Sequence, residues 1–320
     1  MKKHRILSID GGGIKGVFPI AFLAEIESAL SLDSIANYFD LIAGTSVGGI
    51  IALGLGLGLT AGTMTDFFVN EGPRIFPRHA IPTGTLRLLF GVQRYRPDHL
   101  REALEKVFGL KMLADSRTRL LIPAFDATKA DIHIYKTAHH ERLGMDYRLS
   151  AVEVAMATAA APTYFPAYDS KHCITLIDGG TWANDPVALA VVEGIGILGW
   201  NGDEIDVLSI GCTEETVDFK EKGHGAIFWC RRAIEAAMRG QSRSACGIAR
   251  HLTGRDKGLD NVVRVNPPVA ANRFSLDNGD GINDLRGFAH SEARHALPAI
   301  KARFFCSKVE PFLPIQTVVV

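Results

Sequence analysis

Three short stretches carry residue types and spacings that can do chemistry. The first is Asp10-Gly11-Gly12-Gly13-Ile14-Lys15-Gly16. Adjacent glycines remove every Cβ that would hold a ligand away from the backbone. Their N–H groups, at the start of a helix, can point at a negative oxygen. The second is Gly44-Thr45-Ser46-Val47-Gly48, a G-x-S-x-G pattern. Small residues at Gly44 and Gly48 let the chain bend sharply and lift the Ser46 hydroxyl clear. The helix that opens there adds about half a positive charge near the reacting oxygen. The third is Asp178-Gly179-Gly180, which offers a carboxylate where a chain reversal begins. Together they supply oxyanion donors, a nucleophile and a base. A positioned base contributes about 10² to 10⁴ in rate, and each preorganised amide about 3 kcal/mol to the transition state.

Other chemistries fit less well. Gly11, Gly13 and Gly16 also match G-x-G-x-x-G, but a dinucleotide fold wants an acidic residue at the end of its second strand. That strand here ends in Ala43-Gly44-Thr45. A P-loop would need Lys-Ser/Thr after Gly16, and none follows. A nucleotide-binding module built on the glycine loop is therefore the weaker alternative, and a silent lipid-binding protein would not need an intact nucleophile and base. Ser46, Asp178 and His290 occur in the chain order of a hydrolase triad, yet no His-Gly-Gly oxyanion pattern accompanies them. His139 and His140 lie in a polar stretch without metal-ligand spacing.

These residues must be held by a scaffold, and the pattern of the chain is that of an α/β protein. Strands are expected at Arg5–Ile9, Phe39–Ala43, Leu120–Asp126, Ile132–Tyr135, Ile174–Ile177, Asp206–Ile210 and Val262–Val265. Helices are expected at Val17–Leu30, Val47–Leu59, Ser150–Ala160, from about Pro186, and at Phe288–Phe304. Ser150 and Glu153 form a capping-box pattern. Such alternation predicts a mostly parallel sheet covered on both faces. Ser46 and Asp178 are then both expected at the carboxyl edge of that sheet, where open α/β sheets bind ligands. Residues 74–96 mix Pro and Gly with Leu86, Leu88, Leu89 and Phe90, the composition of a lid or a packed loop. Those four residues could dip into a lipid surface, with Arg87 and Arg94 at its headgroups.

The 320 residues are 47% hydrophobic and 22% charged, which excludes a disordered chain. Lys+Arg and Asp+Glu are both 35, so no global basic field exists to hold DNA or RNA, and anion binding must be local. The five cysteines have no C-x-x-C pair and suggest reduced thiols. The apolar run 50–59 is half of what a membrane span needs, about 20 residues. One local basic excess stands out. Residues 229–258 carry seven Lys/Arg against Glu235 and Asp256, and Arg232, Arg239, Arg243 and Arg250 fall within roughly 20° of one helical line. Gly240 and Gly247 argue against an unbroken helix there. The stripe is either a solvated face or a site for a phosphate-bearing ligand.

The three motifs, in this order, resemble the patatin-like phospholipases, whose pattern is a D-G-G-G-x-K/R-G loop, a G-T-S-x-G elbow and a late D-G-G/A. The stretch 159–166 is similar to what precedes the family's late Asp, and 178–186 to its continuation, with Asp185 where Asn is more usual. Leu208-Ser209-Ile210-Gly211 is similar to a later core strand. The resemblance covers about residues 5–212, with 213–320 as a continuation of the same domain and a regulatory or anion-binding surface. It implies a three-layer α/β fold and acyl-ester hydrolysis of phospholipids or lysophospholipids. Ser46 would be the nucleophile and Asp178 the base, with an oxyanion hole at Gly11, Gly12 and Gly13, and Lys15 holding the loop. No metal or cofactor would be needed for catalysis. Compact bacterial members of similar size are anti-phage effectors switched on by a cyclic dinucleotide, and the opening sixteen residues are similar to theirs. The partners this implies are membrane phospholipids met peripherally, a cyclic dinucleotide, and further copies of the chain, with a cytoplasmic enzyme working at the inner membrane face.

Overall fold

The computed structural model describes residues 3–77, 94–216, 226–270, 273–274 and 281–316, with backbone alone at 226–232. The strands are β1 (His4–Ile9), β2 (Leu41–Gly44), β3 (Arg119–Asp126), β4 (Asp131–Lys136), β5 (Tyr168–Asp169), β6 (Thr175–Asp178), β7 (Ile205–Ile210), β8 (Glu214–Glu215), β9 (Val262–Val265) and β10 (Pro268–Val269). The helices are α1 (Val17–Leu30), α2 (Val47–Gly56), α3 (Ala61–Ile75), α4 (Pro97–Phe108), α5 (Ala151–Thr158), α6 (Gly180–Ala183), α7 (Val187–Gly196), α8 (Ala226–Leu252) and α9 (Ile282–Phe304). The main sheet runs β5-β6-β3-β2-β1-β7-β9, with β4 on β3, and β8 and β10 form a separate pair.

Strand alternation divides the core into two. Leu7, Ile9, Ile42, Leu120, Ile122, Leu208 and Ile210 face one side, under α1, α2 and α9. Ile6, Leu41, Ala43, Leu121, Ile205, Val207 and Val262 face the other, against Val187, Ala190 and Val191 of α7 and Ala245 and Ala249 of α8. A period of two along each strand, with both faces apolar, requires a helical layer on each side. The result is a three-layer α/β fold. β9 joins the same sheet as β1, so part of the chain beyond residue 212 completes the core.

The expected strands and helices are present with ends moved by a few residues. The capping box is made: Glu153 donates its amide to Ser150 Oγ and accepts the Ser150 amide. Two expectations are corrected. α8 is one helix through Gly240 and Gly247. Two helical glycines cost about 1 kcal/mol each, an amount that the burial of Ala245 and Ala249 can offset. The second correction concerns β6, which runs antiparallel to β3. β4 covers one edge of β3 from Leu121 to Asp126. β2 pairs at 119–121 and β6 at 124–126, so these two share the opposite edge and meet end to end. Asp178 reaches the level of Ser46 by coming down from above the sheet, not by ending a parallel strand. Leu86, Leu88, Leu89, Phe90 and Arg87 lie outside the described residues. Arg94 lies within them, with its guanidinium 5.6 Å from the Tyr95 ring centre.

Candidate active site

Ser46 sits between β2 and α2 with φ 56° and ψ −124°. A left-handed non-glycine residue costs about 1–3 kcal/mol and persists where its neighbours enforce it. Here the neighbours are close. A Cβ on Gly44 would collide with the Gly48 carbonyl, and one on Gly48 with the carbonyls of Ile9 and Asp10. The Ser46 amide donates to Thr158 Oγ1 at 3.0 Å, and that hydroxyl donates to the Pro123 carbonyl at 2.6 Å. Thr45 Oγ1 donates to the Ala183 carbonyl at 2.7 Å. The elbow is thus tied to β3, α5 and the segment after Asp178.

Ser46 Oγ donates to Asp178 Oδ2 at 2.6 Å, and the Gly180 amide donates to Asp178 Oδ1 at 2.6 Å. Burial pushes the Asp178 carboxyl up to about 6, while those two hydrogen bonds pull it back. The carboxylate therefore remains ionised at neutral pH and is a better base than a solvated Asp, whose pKa is about 3.9. His290 is elsewhere: its Nδ1 lies 2.8 Å from Glu25 Oε2, between α9 and α1.

The glycine loop lies over Ser46, and a Cβ on Gly11 would stand 3.3 Å from Ser46 Cβ. Gly13 has φ 55°, which favours glycine. The amides of Gly12 and Gly13 have no acceptor among the described residues. Gly11 departs from its expected part. Its amide already donates to the Asn184 carbonyl at 2.9 Å, so it fastens the loop to the segment after Asp178. Gly16 abuts Val47, and Gly179 backs onto the Pro123 carbonyl. Lys15 is buried, with Nζ 3.9 Å from Glu215 Oε1.

The arginine stripe is partly engaged by this chain's own acids. Arg239 meets Glu214 at 3.5 Å and Glu235 at 2.9 Å, and also donates to the Glu215 carbonyl. Arg243 meets Glu214 at 3.0 Å. Arg250 has a buried Nε without a hydrogen-bond partner among the described residues. The side chain of Arg232 lies outside the described residues.

One buried charged cluster beside the glycine loop escaped the sequence reading. Arg264 on β9 reaches Asp10 with Nη1 at 2.7 Å and Nη2 at 2.5 Å, and its Nη1 lies 3.2 Å from Asp185 Oδ2. The available signal was an arginine in the otherwise apolar Val-Val-Arg-Val of a buried strand.

A half-buried serine hydroxyl 2.6 Å from a buried carboxylate, at the strand–helix bend of a three-layer α/β sheet and under two amides with no acceptor among the described residues, is the kind of arrangement that serine-nucleophile hydrolases use. Residues 7–191 match the family model described as Patatin-like phospholipase. The chain belongs to the patatin-like phospholipase family. It is 30% identical to a "cGAMP-activated phospholipase" of Escherichia coli, over 96% of this chain and 94% of that one. It is 29% identical to a protein of the same description from Vibrio cholerae, over 86% and 85%. Among solved structures, VipD from Legionella pneumophila aligns with a TM-score of 0.48 at 12% identity, over 93% of this chain and 67% of that one. The family is one of lipid acyl hydrolases, and the chain is such an enzyme. Among the described residues, no helix is long and apolar enough to cross a membrane.

Proposed function

We propose that this chain cleaves acyl esters of membrane phospholipids through an acyl-enzyme on Ser46, with Asp178 as the base. The observation that carries this reading is the 2.6 Å contact between Ser46 Oγ and a buried Asp178 carboxylate. Asp178 takes the hydroxyl proton as Ser46 Oγ attacks the acyl carbonyl. The amides of Gly12 and Gly13 receive the oxyanion. Collapse expels the lysolipid alcohol, which takes the proton from Asp178. A water then gives its proton to Asp178 and attacks the acyl-serine, and fatty acid leaves as Ser46 recovers its proton. A fluorophosphonate probe tests the assignment. It is expected to add one phosphonyl group to the peptide holding Ser46, and to add none in Ser46→Ala. Labelling at another serine, with fatty-acid release from vesicles intact in Ser46→Ala, would remove the reading.

A cyclic dinucleotide is proposed as the activator, by extension from the relatives described as cGAMP-activated phospholipases. Arg239 and Arg243 support a diester site on α8, and Glu214 is the anion that a phosphodiester would displace. Each of the two ion pairs is worth about 0.2–1 kcal/mol, so Glu214→Gln is expected to tighten dinucleotide binding by about 2- to 30-fold. Calorimetry across a panel of cyclic dinucleotides measures this. Failure of every member to bind would end the activation reading and leave the hydrolase reading standing.

A further inference from the structure

We propose that Arg264 is a positioning residue for hydrolysis: one buried guanidinium clamps the start of the glycine loop to the segment that follows Asp178. The proposal rests on the Ser46–Asp178 reading given above.

The geometry starts from the sheet register. Ser8 of β1 pairs with Ser209 of β7, and Ser209 with Arg264 of β9. All three point to the face covered by α7 and α8. Two small residues in that row leave room for the arginine to lie along the sheet toward β1. On the way it donates to Ser209 Oγ at 2.7 Å. It ends on both oxygens of Asp10, the residue that opens the glycine loop. The same guanidinium meets Asp185 Oδ2 at 3.2 Å. Asp185 adjoins Asn184, whose carbonyl accepts the Gly11 amide. The clamp therefore holds the residue before Gly11 and the residue after Asn184, with the Gly11–Asn184 hydrogen bond between them.

The cluster is secluded. The side chains of Arg264, Asp10 and Asp185 are 14%, 6% and 0% exposed. Helix α8 closes it from above. Ser242 Oγ donates to Asp185 Oδ2 at 3.2 Å, and Gln241 exchanges two hydrogen bonds with the Asp185 backbone. Burial pushes both carboxyls upward while Arg264 pulls them back, and against the pull of burial the two acids hold Arg264 in its charged form. Two carboxylates face one cation, and the nearby Cys212, Cys246, Lys15 and Arg250 add no second buried partner for Asp185. Removing the guanidinium would leave two buried acids in apposition and take away the charged, two-armed grip on Asp10, with only the long contacts from Asn184 Nδ2 to the Gly11 carbonyl at 3.4 Å and from Cys212 Sγ to the Asp10 carbonyl at 3.5 Å, and the Lys15–Glu215 pair at 3.9 Å, beside the loop's backbone bonds.

A loop displaced by about 1 Å at the oxyanion costs about 10² in rate and leaves ground-state binding of a small ester nearly untouched. Arg264→Met is thus expected to lower kcat about 100-fold on a soluble short-chain ester, with KM within about twofold. Arg264→Lys keeps the charge, but a single ammonium cannot grip Asp10 with two parallel bonds and reach Asp185 as well, so a loss of about 10-fold is expected. Asp185→Asn keeps an acceptor for the Val187 amide and the grip on Asp10 but gives up the charged contact with Arg264, so a loss of about 10-fold, like that of Arg264→Lys, is expected. Each rate is expressed per Ser46 titrated by fluorophosphonate. A role confined to stability would lower the titratable fraction and leave kcat per titrated serine unchanged. The proposal is overturned if kcat per titrated serine stays within threefold of wild type in Arg264→Met, or if the whole loss falls in KM. Should the Met variant not fold, Arg264→Lys at wild-type kcat overturns it equally. Failure of the wild-type enzyme to label at Ser46 would instead strike the dyad on which the proposal stands.

Discussion

Replacing Asp178 by Asn is expected to give a protein that releases no fatty acid and yet melts at a higher temperature than wild type. The amide fits the same hydrogen bonds. Its Oδ1 can accept the Gly180 amide, and its Nδ2 can donate to Ser46 Oγ, which turns from donor to acceptor. The base is lost, and loss of a group that acts with the nucleophile costs about 10⁴-fold or more in kcat. The stability gain follows from linkage. Burial raises the Asp178 carboxyl from 3.8 to about 6, so the folded state binds the proton more tightly than the unfolded chain. Stability contributed by this group therefore falls as pH rises from about 4 to about 6, and the full cost is present at neutral pH. The shift corresponds to about 3 kcal/mol at most, and imperfect amide geometry leaves an expected gain of about 1–3 kcal/mol, a few degrees in Tm. Asn carries no charge at any of these pH values. The difference in Tm between variant and wild type is thus expected at pH 7.5 and absent near pH 4. Ser46→Ala separates the two effects. It loses as much activity, but it leaves the buried carboxylate without its hydroxyl donor and gains no stability. Equal melting of Asp178→Asn and wild type at pH 7.5 would show that Asp178 is not held as a strained, desolvated base.

That trade is local, and its local parts were legible in the sequence. Glycines at 11–13, 44 and 48 announce close backbone approach, and a serine between a β-run and an apolar helix announces a sharp bend. What the sequence could not give was direction. Asp178 was expected at a carboxyl strand end on the ligand edge of the sheet, without a direction for its strand, whereas β6 runs against β3 and meets β2 head-on. Nothing in Thr175–Asp178 distinguishes the two orientations, because a four-residue strand has the same side-chain alternation in either sense. Arg264 was illegible for a related reason. Its partners Asp10 and Asp185 lie 254 and 79 residues away, and only the sheet register that aims Arg264 at β1, with the placement of the segment before Val187, unites them. Gly11 shows the limit of motif reading: it belongs to the triglycine, but its amide serves the scaffold while those of Gly12 and Gly13 have no acceptor among the described residues. The α8 helix runs through two glycines because the burial of Ala245 and Ala249 outweighs propensity.

The acid side of the rate profile is the second large effect. A base that must be ionised to accept the Ser46 proton makes kcat/KM follow its own titration. With the Asp178 carboxyl at about 6, log kcat/KM on a soluble ester is expected to be level above that pH and to fall with unit slope below it. At pH 4 the rate is then about 10²-fold below the plateau. A solvated aspartate would hold the plateau down to about pH 4, so the position of the limb measures the burial of this carboxyl directly. Histidine titrates near 6.5 and could mimic the limb. His290→Ala discriminates, because that ring contacts Glu25 rather than Asp178, and both plateau and limb should survive its removal. The second buried acid cluster holds Asp10, pushed up to about 7 by burial beside Arg264, and its titration would bend the profile about one pH unit above the Asp178 limb, so the two are told apart by position. A limb near 4 in wild type would mean that solvent reaches Asp178 during turnover. A limb lost in His290→Ala would transfer the base to histidine and displace the two-residue mechanism altogether.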